Sequence, residues 1–185
     1  MFEQESGQVL IDRRRHEKAL QVLMFYGFVM PRVHEDLAFV WGDKDLFRLA
    51  WLKTNSSFHM IERPAGSTGV MDVVSRRFCG VTMVQHDPHG EIVFFHRNTE
   101  KLGMGNTNKR LWKYVQEFKP GASLDRYHPE YAQGFGAVRG SCWGKTSGYE
   151  GAYIMGPISD FKGFSTLEDR LIGFVNEALG FMKTK

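Results

Sequence analysis

The chain has few of the residues that mark the specialised classes of protein. Only two cysteines, Cys79 and Cys142, occur among its 185 residues. One disulfide or two buried thiols can form, whereas a disulfide-rich scaffold is excluded. No apolar run approaches the roughly 20 residues that cross a bilayer, and residues 1–15 lack the apolar centre of a signal peptide. The sequence as given is therefore expected to contain no membrane segment.

Positive charge is also scarce. The formal net charge is +3, and the longest basic run, Arg13-Arg14-Arg15, suits the solvated face of a helix. A nucleic-acid partner is therefore not expected. Hydrophobic residues make up 42% and charged residues 24% of the chain, as in an ordinary globular domain. No internal repeat or low-complexity linker is visible, so the sequence predicts a single α/β domain, or part of one.

The first third of the chain predicts a strand followed by two helices. Residues 8–11 form a short apolar run with β-branched content, which is typical of a strand. A helix is predicted from its N-cap Asp12 to about Tyr26, with Gly27 and Pro31 ending it. A second helix is predicted over residues 45–52. The apolar face of the first helix is expected to consist of Ala19, Leu20, Leu23 and Tyr26.

The rest of the chain predicts a β-hairpin, short strands and a final helix. Residues 79–96 contain two strand-like runs around the turn 87–90, which has Pro at its second position and Gly at its fourth. Residues 129–157 are rich in Gly and aromatics, which favours short strands and loops. Ser165 and Glu168 form a predicted capping box before an amphipathic helix that should cover one face of the body.

Three polar clusters fall at the ends of these predicted elements, where sites on α/β folds usually form. They are Glu5-Ser6-Gly7-Gln8, Gly42-Asp43-Lys44-Asp45, and His96-Arg97-Asn98 with Lys101. The Asp-x-Asp triplet in the second cluster suits a metal–nucleotide site, because two carboxylates on one turn can reach the same divalent cation. The same carboxylates also suit a helix N-terminus with no ligand. The local pattern leaves both interpretations open.

Three longer motifs, in this order and at similar spacing, resemble the mannosyltransferase family that includes the Golgi α-1,2- and α-1,3-mannosyltransferases of yeast mannan. The motifs are ESGQVLIDRRRH, GDKDLFRLAW and FCGVTMVQHDPHGEIVFFHRN. The resemblance covers about residues 3–101. It implies a GT-A-like fold, which is a Rossmann-like nucleotide-diphospho-sugar transferase fold with a mixed sheet and flanking helices. It also implies a GDP-mannose donor, a glycan or glycoprotein acceptor, and Mn²⁺ as cofactor.

The resemblance further implies roles for the polar clusters. The catalytic carboxylates would be those of Asp43, Asp45 and Glu5, which would hold sugar hydroxyls and face the anomeric carbon. His96 would be a late metal ligand. In glycogenin-like enzymes a His-x-x-Gly-x-x-Lys loop follows, but here Lys101 is one residue too close and the Gly is absent, so Arg97 is an alternative phosphate contact. The substrate-binding set would be Ser6, Gly7, Gln8, Lys44, Lys101 and Arg97.

The order of the motifs affects how the Asp-x-Asp triplet is interpreted. In the resembling family the metal-binding triplet normally precedes the Glu-Ser-Gly strand, and the given sequence has nothing upstream of Met1. Asp43-Lys44-Asp45 is therefore expected to be a sugar-facing helix start. The chain is expected to be the C-terminal, acceptor-side portion of a catalytic domain, inactive alone, with a family-like core over 1–101 and a divergent extension over 102–185. Full-length family members are membrane-anchored, with the catalytic part in the Golgi lumen.

Three functions fit these observations. The first is a retaining, GDP-mannose-dependent mannosyltransferase of protein glycosylation. The second is a non-catalytic carbohydrate-binding or interaction domain derived from the same fold. The third is an unrelated metal-dependent hydrolase that uses Asp43, Asp45 and His96. For the first function, Glu5, one of the two aspartates and His96 are expected to line one cleft.

Overall fold

The computed structural model describes residues 9–30, 40, 44–103 and 108–183 of the chain. These residues belong to two compact units, the first over residues 1–61 and the second over residues 62–185. Within the residues that the structure describes, the first unit has two helices, and the second has a seven-stranded sheet and a terminal helix. The α/β class predicted from the sequence is confirmed.

The first unit is built from helices α1 (Glu17–Phe28) and α2 (Lys44–Lys53). Their shared core consists of Ala19, Ala50 and Trp51, all buried, with partly buried apolar neighbours around them. The helical spacing predicted this face of α1 correctly, since Leu20, Leu23 and Tyr26 all contact the cluster. The predicted span of the second helix is also confirmed to within a residue at each end.

Two predictions for the start of the first unit are wrong. Residues 9–11 are not a strand, and Ile11 instead packs against the helical core. Asp12 caps a turn and not the helix itself: its Oδ1 accepts hydrogen bonds from the backbone N–H groups of Arg14 and Arg15 at 3.0 and 3.2 Å. The predicted end of the helix at about Tyr26 is confirmed to within two residues, since α1 ends at Phe28.

The second unit is an antiparallel sheet. Its strands are β1 (Gly66–Asp72), β2 (Arg77–His86), β3 (Ile92–Arg97), β4 (Tyr114–Phe118), β5 (Glu130–Gln133), β6 (Ser141–Gly144) and β7 (Tyr153–Pro157). The spatial order is β5-β6-β2-β1-β4-β7, and β3 also pairs with β2. Short 3-10 helices follow β4 and β7, at Leu124–Arg126 and Ile158–Asp160.

The predicted hairpin is confirmed as β2 and β3. Two residues at positions 87–90 stabilise its turn, one through its side chain and the other through its backbone conformation. The side chain of Asp87 accepts hydrogen bonds from the backbone N–H groups of His89 and Glu91 at 2.8 and 2.9 Å. Gly90 has a φ of 86°, a left-handed conformation that glycine adopts without steric cost. The short strands predicted between residues 129 and 157 are also present, as β5, β6 and β7.

Strands β2 and β6 meet at an unusually close contact. Gly80 pairs with Trp143, and a Cβ at Gly80 would collide with the carbonyl oxygen of Trp143 on β6 and with Ser67 Oγ on β1. Beside this pair, Cys79 and Cys142 form a disulfide that joins the two strands. Both cysteines are fully buried. The sequence allowed either one disulfide or two buried thiols, and the structure contains the disulfide.

Helix α3 (Leu167–Lys183) closes the chain, and only its start is well packed. Leu167 and Leu171 contact the core cluster formed around Val81 and Trp112. The second half of the helix exposes most of its apolar side chains, including Phe181 at 67%. The predicted capping box is wrong, because both carboxylate oxygens of Glu168 accept hydrogen bonds from residues far away in sequence.

The described strands pair only antiparallel within the sheet. The mixed sheet expected from the resemblance is therefore not seen in the part of the chain that the structure describes. Three of these pairings, β1–β2, β2–β3 and β5–β6, join consecutive strands through connections too short for the crossover that a parallel pair needs. Across the same residues, no helix is both long enough and apolar enough to cross a membrane.

The disulfide generates a stability prediction. It closes a loop with a sequence separation of 63, and such a cross-link typically stabilises a protein by about 4 kcal/mol through the entropy of the unfolded chain. The variant Cys79→Ala/Cys142→Ala should therefore lose stability of about that size in urea unfolding followed by circular dichroism. Dithiothreitol should destabilise the wild type and leave the variant unaffected, and equal midpoints for the two proteins would contradict the prediction.

Candidate functional site

The predicted site residues fall into two groups. Glu5, Ser6, Gly7, Gln8 and Asp43 lie outside the described residues, so their placement stays a prediction. Lys44 and Asp45 belong to the first unit, and His96, Arg97 and Lys101 belong to the second. The expected convergence of these clusters on one cleft therefore also stays a prediction.

Lys44 and Asp45 occupy the first turn of α2, as the sequence predicted. Lys44 Nζ lies 3.4 Å from Asp45 Oδ1, and the two side chains are 20% and 31% exposed. The N-terminus of a helix carries a partial positive charge that favours a carboxylate in the first turn. Asp45 is thus a partly exposed carboxylate held close to a lysine, an arrangement that can bind hydroxyl groups.

His96 and Arg97 are adjacent on β3 and point to opposite faces of the sheet, as successive strand residues do. His96 is paired with Met83 of β2. Arg97 lies on the face of Trp112, with its guanidinium carbon 5.9 Å from the centre of the indole ring. The two side chains therefore leave the strand on opposite faces of the sheet, and Lys101 is exposed four residues after Arg97. The ligand roles of these residues stay predictions.

Arg97 is held in a buried polar network centred on Glu168. Glu168 Oε1 accepts a hydrogen bond from Arg97 Nη1 at 2.6 Å, and Oε2 accepts one from the backbone N–H of Trp112 at 2.7 Å. The backbone N–H of Leu111 donates to the same carboxylate. Arg97 also donates through Nε to the carbonyl of Glu100 at 2.7 Å. A phosphate contact by Arg97 would compete with these bonds, and that role stays a prediction.

A second buried network was not predicted from the sequence. Glu117 of β4 is 7% exposed and its Oε1 lies 2.9 Å from His86 Nε2 and 2.7 Å from Arg63 Nη2. Arg63 Nη1 donates to the carbonyl of Gly90 at 2.6 Å. The only local signal is a glutamate inside the apolar strand β4, because the partners are 31 and 54 residues away along the chain.

Arg63 and Gly90 of this second network also line a cleft of about 340 Å³. The lining comes from residues 62–64 before β1, the hairpin turn 88–90, and residues 118–122 after β4, together with Leu124. All of these residues belong to the second unit. The cleft joins two cations, Arg63 and Lys119, to a wall of mixed polar and apolar character, so it can bind a small polar molecule.

A third polar group links β5 to the loop after β6. Glu130 accepts hydrogen bonds from Lys145 Nζ and, at 2.6 Å, from Thr146 Oγ1. Burial raises the pKa of Glu130, but the bonds from Lys145 and Thr146 outweigh it and hold the pKa below its usual value. At neutral pH this carboxylate is therefore ionised and paired.

Metal binding has no support in the described part of the chain. No group of three or more His, Cys, Asp or Glu residues there is arranged to hold a metal ion. His96 as a late metal ligand stays a prediction, since the other ligands that the resemblance implies fall outside the described residues.

The geometry defines an α/β protein with an antiparallel sheet and polar sites on its connecting segments. Residues 2–87 of the chain match the family described as "Mannosyltransferase putative". This finding confirms, over those residues, the resemblance to a mannosyltransferase family that the motifs indicated. The match includes the Lys44-Asp45 helix start and ends in the turn between β2 and β3. His96, Arg97 and Lys101 lie beyond it.

A similar protein supports the same family. The α-1,2-mannosyltransferase MNN22 of Candida albicans is 26% identical to this chain over 103 residues, which cover 53% of the chain and 18% of that protein. The chain thus spans less than a fifth of the length of this relative.

The Glu168 network generates a second stability prediction. Removing one partner of a buried ion pair typically costs about 3–5 kcal/mol, because the other charge stays buried and unpaired. We therefore expect Glu168→Ala to lower the free energy of unfolding by that amount. Glu177→Ala, an exposed change on the same helix, is the control and should differ little from wild type. A small effect of Glu168→Ala in urea unfolding would show that Arg97 finds another partner.

Glu130 generates a prediction about acid stability. The pKa of Glu130 is lower in the folded protein than in the unfolded chain. Its ionised form therefore stabilises the fold fully at pH values above the unfolded pKa. This stabilisation disappears as the pH falls through the folded pKa. Glu130→Gln should remove this contribution, so the free energy of unfolding of the variant should fall less steeply as the pH drops below about 4.3. Chemical unfolding at several pH values measures it, with the exposed Glu150→Gln as the control. A variant profile as steep as that of wild type would refute the assignment.

Proposed function

We propose that this chain is part of a retaining mannosyltransferase that transfers mannose from GDP-mannose to a glycan acceptor. The observation that carries the proposal is the family match over residues 2–87, which includes the carboxylate-bearing start of α2. The Candida albicans relative is an α-1,2-mannosyltransferase, which supports the same chemistry. The retaining outcome follows if an α-linked donor gives an α-linked product.

The proposed enzyme belongs to the GT-A class, and the described sheet would be its acceptor side. GT-A enzymes bind the donor nucleotide at the ends of parallel strands, and the sheet described here is antiparallel. The nucleotide-binding strands of the proposed enzyme would therefore come from other residues of the complete protein. This arrangement agrees with the expectation that the chain is the acceptor-side portion of a catalytic domain.

Residue roles follow from the chemistry of glycosyl transfer. The leaving diphosphate must be neutralised and the positive charge at the anomeric carbon must be stabilised. In the proposed enzyme Asp45, with Asp43 and Glu5, holds sugar hydroxyls and faces that carbon, and Lys44 contacts the donor. Mn²⁺ would neutralise the diphosphate, with His96 as one of its ligands and Lys101 or Arg97 on the phosphate.

The disulfide supports a compartment for the proposed enzyme. Stable disulfides form in oxidising compartments and are rare in the cytosol. The bond between Cys79 and Cys142 therefore agrees with a protein of the secretory pathway. We place the proposed enzyme in the Golgi lumen, where the resembling mannosyltransferases act.

A second candidate is a non-catalytic carbohydrate-binding domain of the same origin. One observation favours it: the described residues contain a cleft but no group of metal ligands. Binding of glycan without any transfer by the complete protein would decide for this candidate. The metal-dependent hydrolase has no comparable observation in its favour.

The role of Asp45 provides the test of the proposed transferase. Asp45→Asn keeps the side-chain size and removes the charge, and it should lower kcat by about 10²–10³-fold, the usual cost of losing one electrostatic contact made in the transition state. The assay measures transfer of labelled mannose from GDP-mannose to an α-mannoside by the protein expressed from its natural gene.

Asp169→Asn is the matched control, because Asp169 also lies in the first turn of a helix and is half-exposed. It should leave kcat unchanged. No mannose transfer by the wild-type protein under any metal condition would refute the transferase, and unchanged kcat in Asp45→Asn would refute the role of Asp45.

A further inference from the structure

The cleft in the second unit is the feature that the proposed catalytic residues do not use. It lies among residues 62–64, 88–90 and 118–122, with Leu124 in its lining. Its volume of about 340 Å³ falls at the lower end of the range of about 300–1,000 Å³ typical of small-molecule sites. The size therefore suits a ligand of one or a few small rings.

One polar side chain of the cleft, Arg63, is held in place before any ligand binds. Arg63 donates a hydrogen bond to the carboxylate of Glu117 at 2.7 Å and another to the carbonyl of Gly90 at 2.6 Å. These two bonds fix its guanidinium group. Gly90 allows this approach, since a Cβ there would lie 2.9 Å from Arg63 Nη1. The Nε of Arg63 is buried and has no hydrogen-bond partner among the described residues. A preformed site loses less conformational entropy on binding.

The charges of the cleft favour an uncharged ligand. Arg63 and Lys119 are its cations, but Glu117 already neutralises Arg63, and Glu62 lies in the lining with Lys119. An anion such as phosphate would meet no excess of positive charge. The remaining donors and acceptors of Glu62 and Lys119 are instead suited to neutral hydroxyl groups.

The apolar part of the cleft offers flat and rigid surfaces. Pro64, Pro88 and Pro120 lie in its lining, with Phe118 and Leu124. Proline rings lose almost no side-chain entropy when a ligand covers them. A pyranose ring has apolar C–H faces and polar hydroxyl edges, so it matches a site with apolar walls and a few fixed polar groups.

We propose that this cleft binds a neutral hexopyranoside, and that in the complete protein it holds a mannose unit of the acceptor glycan. The second half of this statement rests on the proposed mannosyltransferase function, whereas the first half does not. Lys119 and Glu62 bind the hydroxyl groups, and Leu124 covers one apolar face of the ring.

The test is a titration of the ¹⁵N-labelled chain with methyl α-mannopyranoside, followed by NMR. Saturable shifts should concentrate at residues 62–64, 88–90 and 118–124. Lys119→Ala and Glu62→Gln should each raise Kd about tenfold, the effect of losing one charged hydrogen bond. Lys113→Ala is the matched control, since Lys113 is an exposed lysine that precedes β4 as Lys119 follows it, and it should leave Kd unchanged.

Other outcomes of the titration would overturn the proposal. No saturable shift with any methyl hexopyranoside would refute the site. Shifts of the same residues with inorganic phosphate but not with mannoside would make it an anion site. Equal affinity for methyl α-mannopyranoside and methyl β-galactopyranoside would leave a neutral-sugar site and refute its assignment to mannose.

Transfer kinetics separate this inference from the proposed function. If both hold, Lys119→Ala raises KM for the acceptor about tenfold with kcat unchanged, the signature of lost ground-state binding. Mannoside binding at the cleft in a protein that transfers no mannose would refute the enzyme and keep the neutral-sugar site. Transfer whose acceptor KM is insensitive to Lys119→Ala would refute the acceptor site and keep the enzyme.

Discussion

The second unit depends on one buried carboxylate. Glu168 is 2% exposed, and a charge taken out of water is tolerated only when it is paired and hydrogen-bonded. Its partners are Arg97 at the end of β3 and two backbone N–H groups just before β4. The carboxylate therefore connects the terminal helix to the sheet at two places and fixes where α3 begins. Trp112, one of those partners, also donates through its indole N–H to Thr82 of β2 at 2.7 Å.

Features of the fold that depend on local sequence were predictable, and those that depend on distant partners were not. The hairpin turn, α2 and the apolar face of α1 are determined by residues that lie near each other along the chain. By contrast, β1 contains two glycines and few large apolar residues, and β4 carries Gln116 and Glu117 in its buried interior. Neither shows the alternation expected of a strand, because their polar groups are satisfied by partners far away in sequence.

The same distinction applies to the candidate sites. The sequence correctly placed Asp45 at a helix start and His96 at the end of a strand, because both positions follow from local patterns. It could not indicate that Arg97 is engaged by Glu168, since 71 residues separate them. It also gave no indication of the cleft at Arg63, whose lining comes from three connecting segments. A four-residue pattern predicted that Glu168 belongs to a helix cap. In the structure its carboxylate binds partners that lie far away along the chain instead.

The extent of the family match has a structural consequence. The matched residues 2–87 contribute only β1 and β2 to the sheet, whereas β4, β5, β6 and β7 come from residues after 101. Two strands alone seldom make a stable sheet in water, and here β1 and β2 are paired on their outer edges with β4 and β6. The disulfide joins β2 to β6 across this division. The cleft is divided in the same way, with Arg63 from the matched residues and Lys119 from beyond them. The later residues are thus required to complete the sheet, and differences among them can change the cleft while the matched segment stays the same.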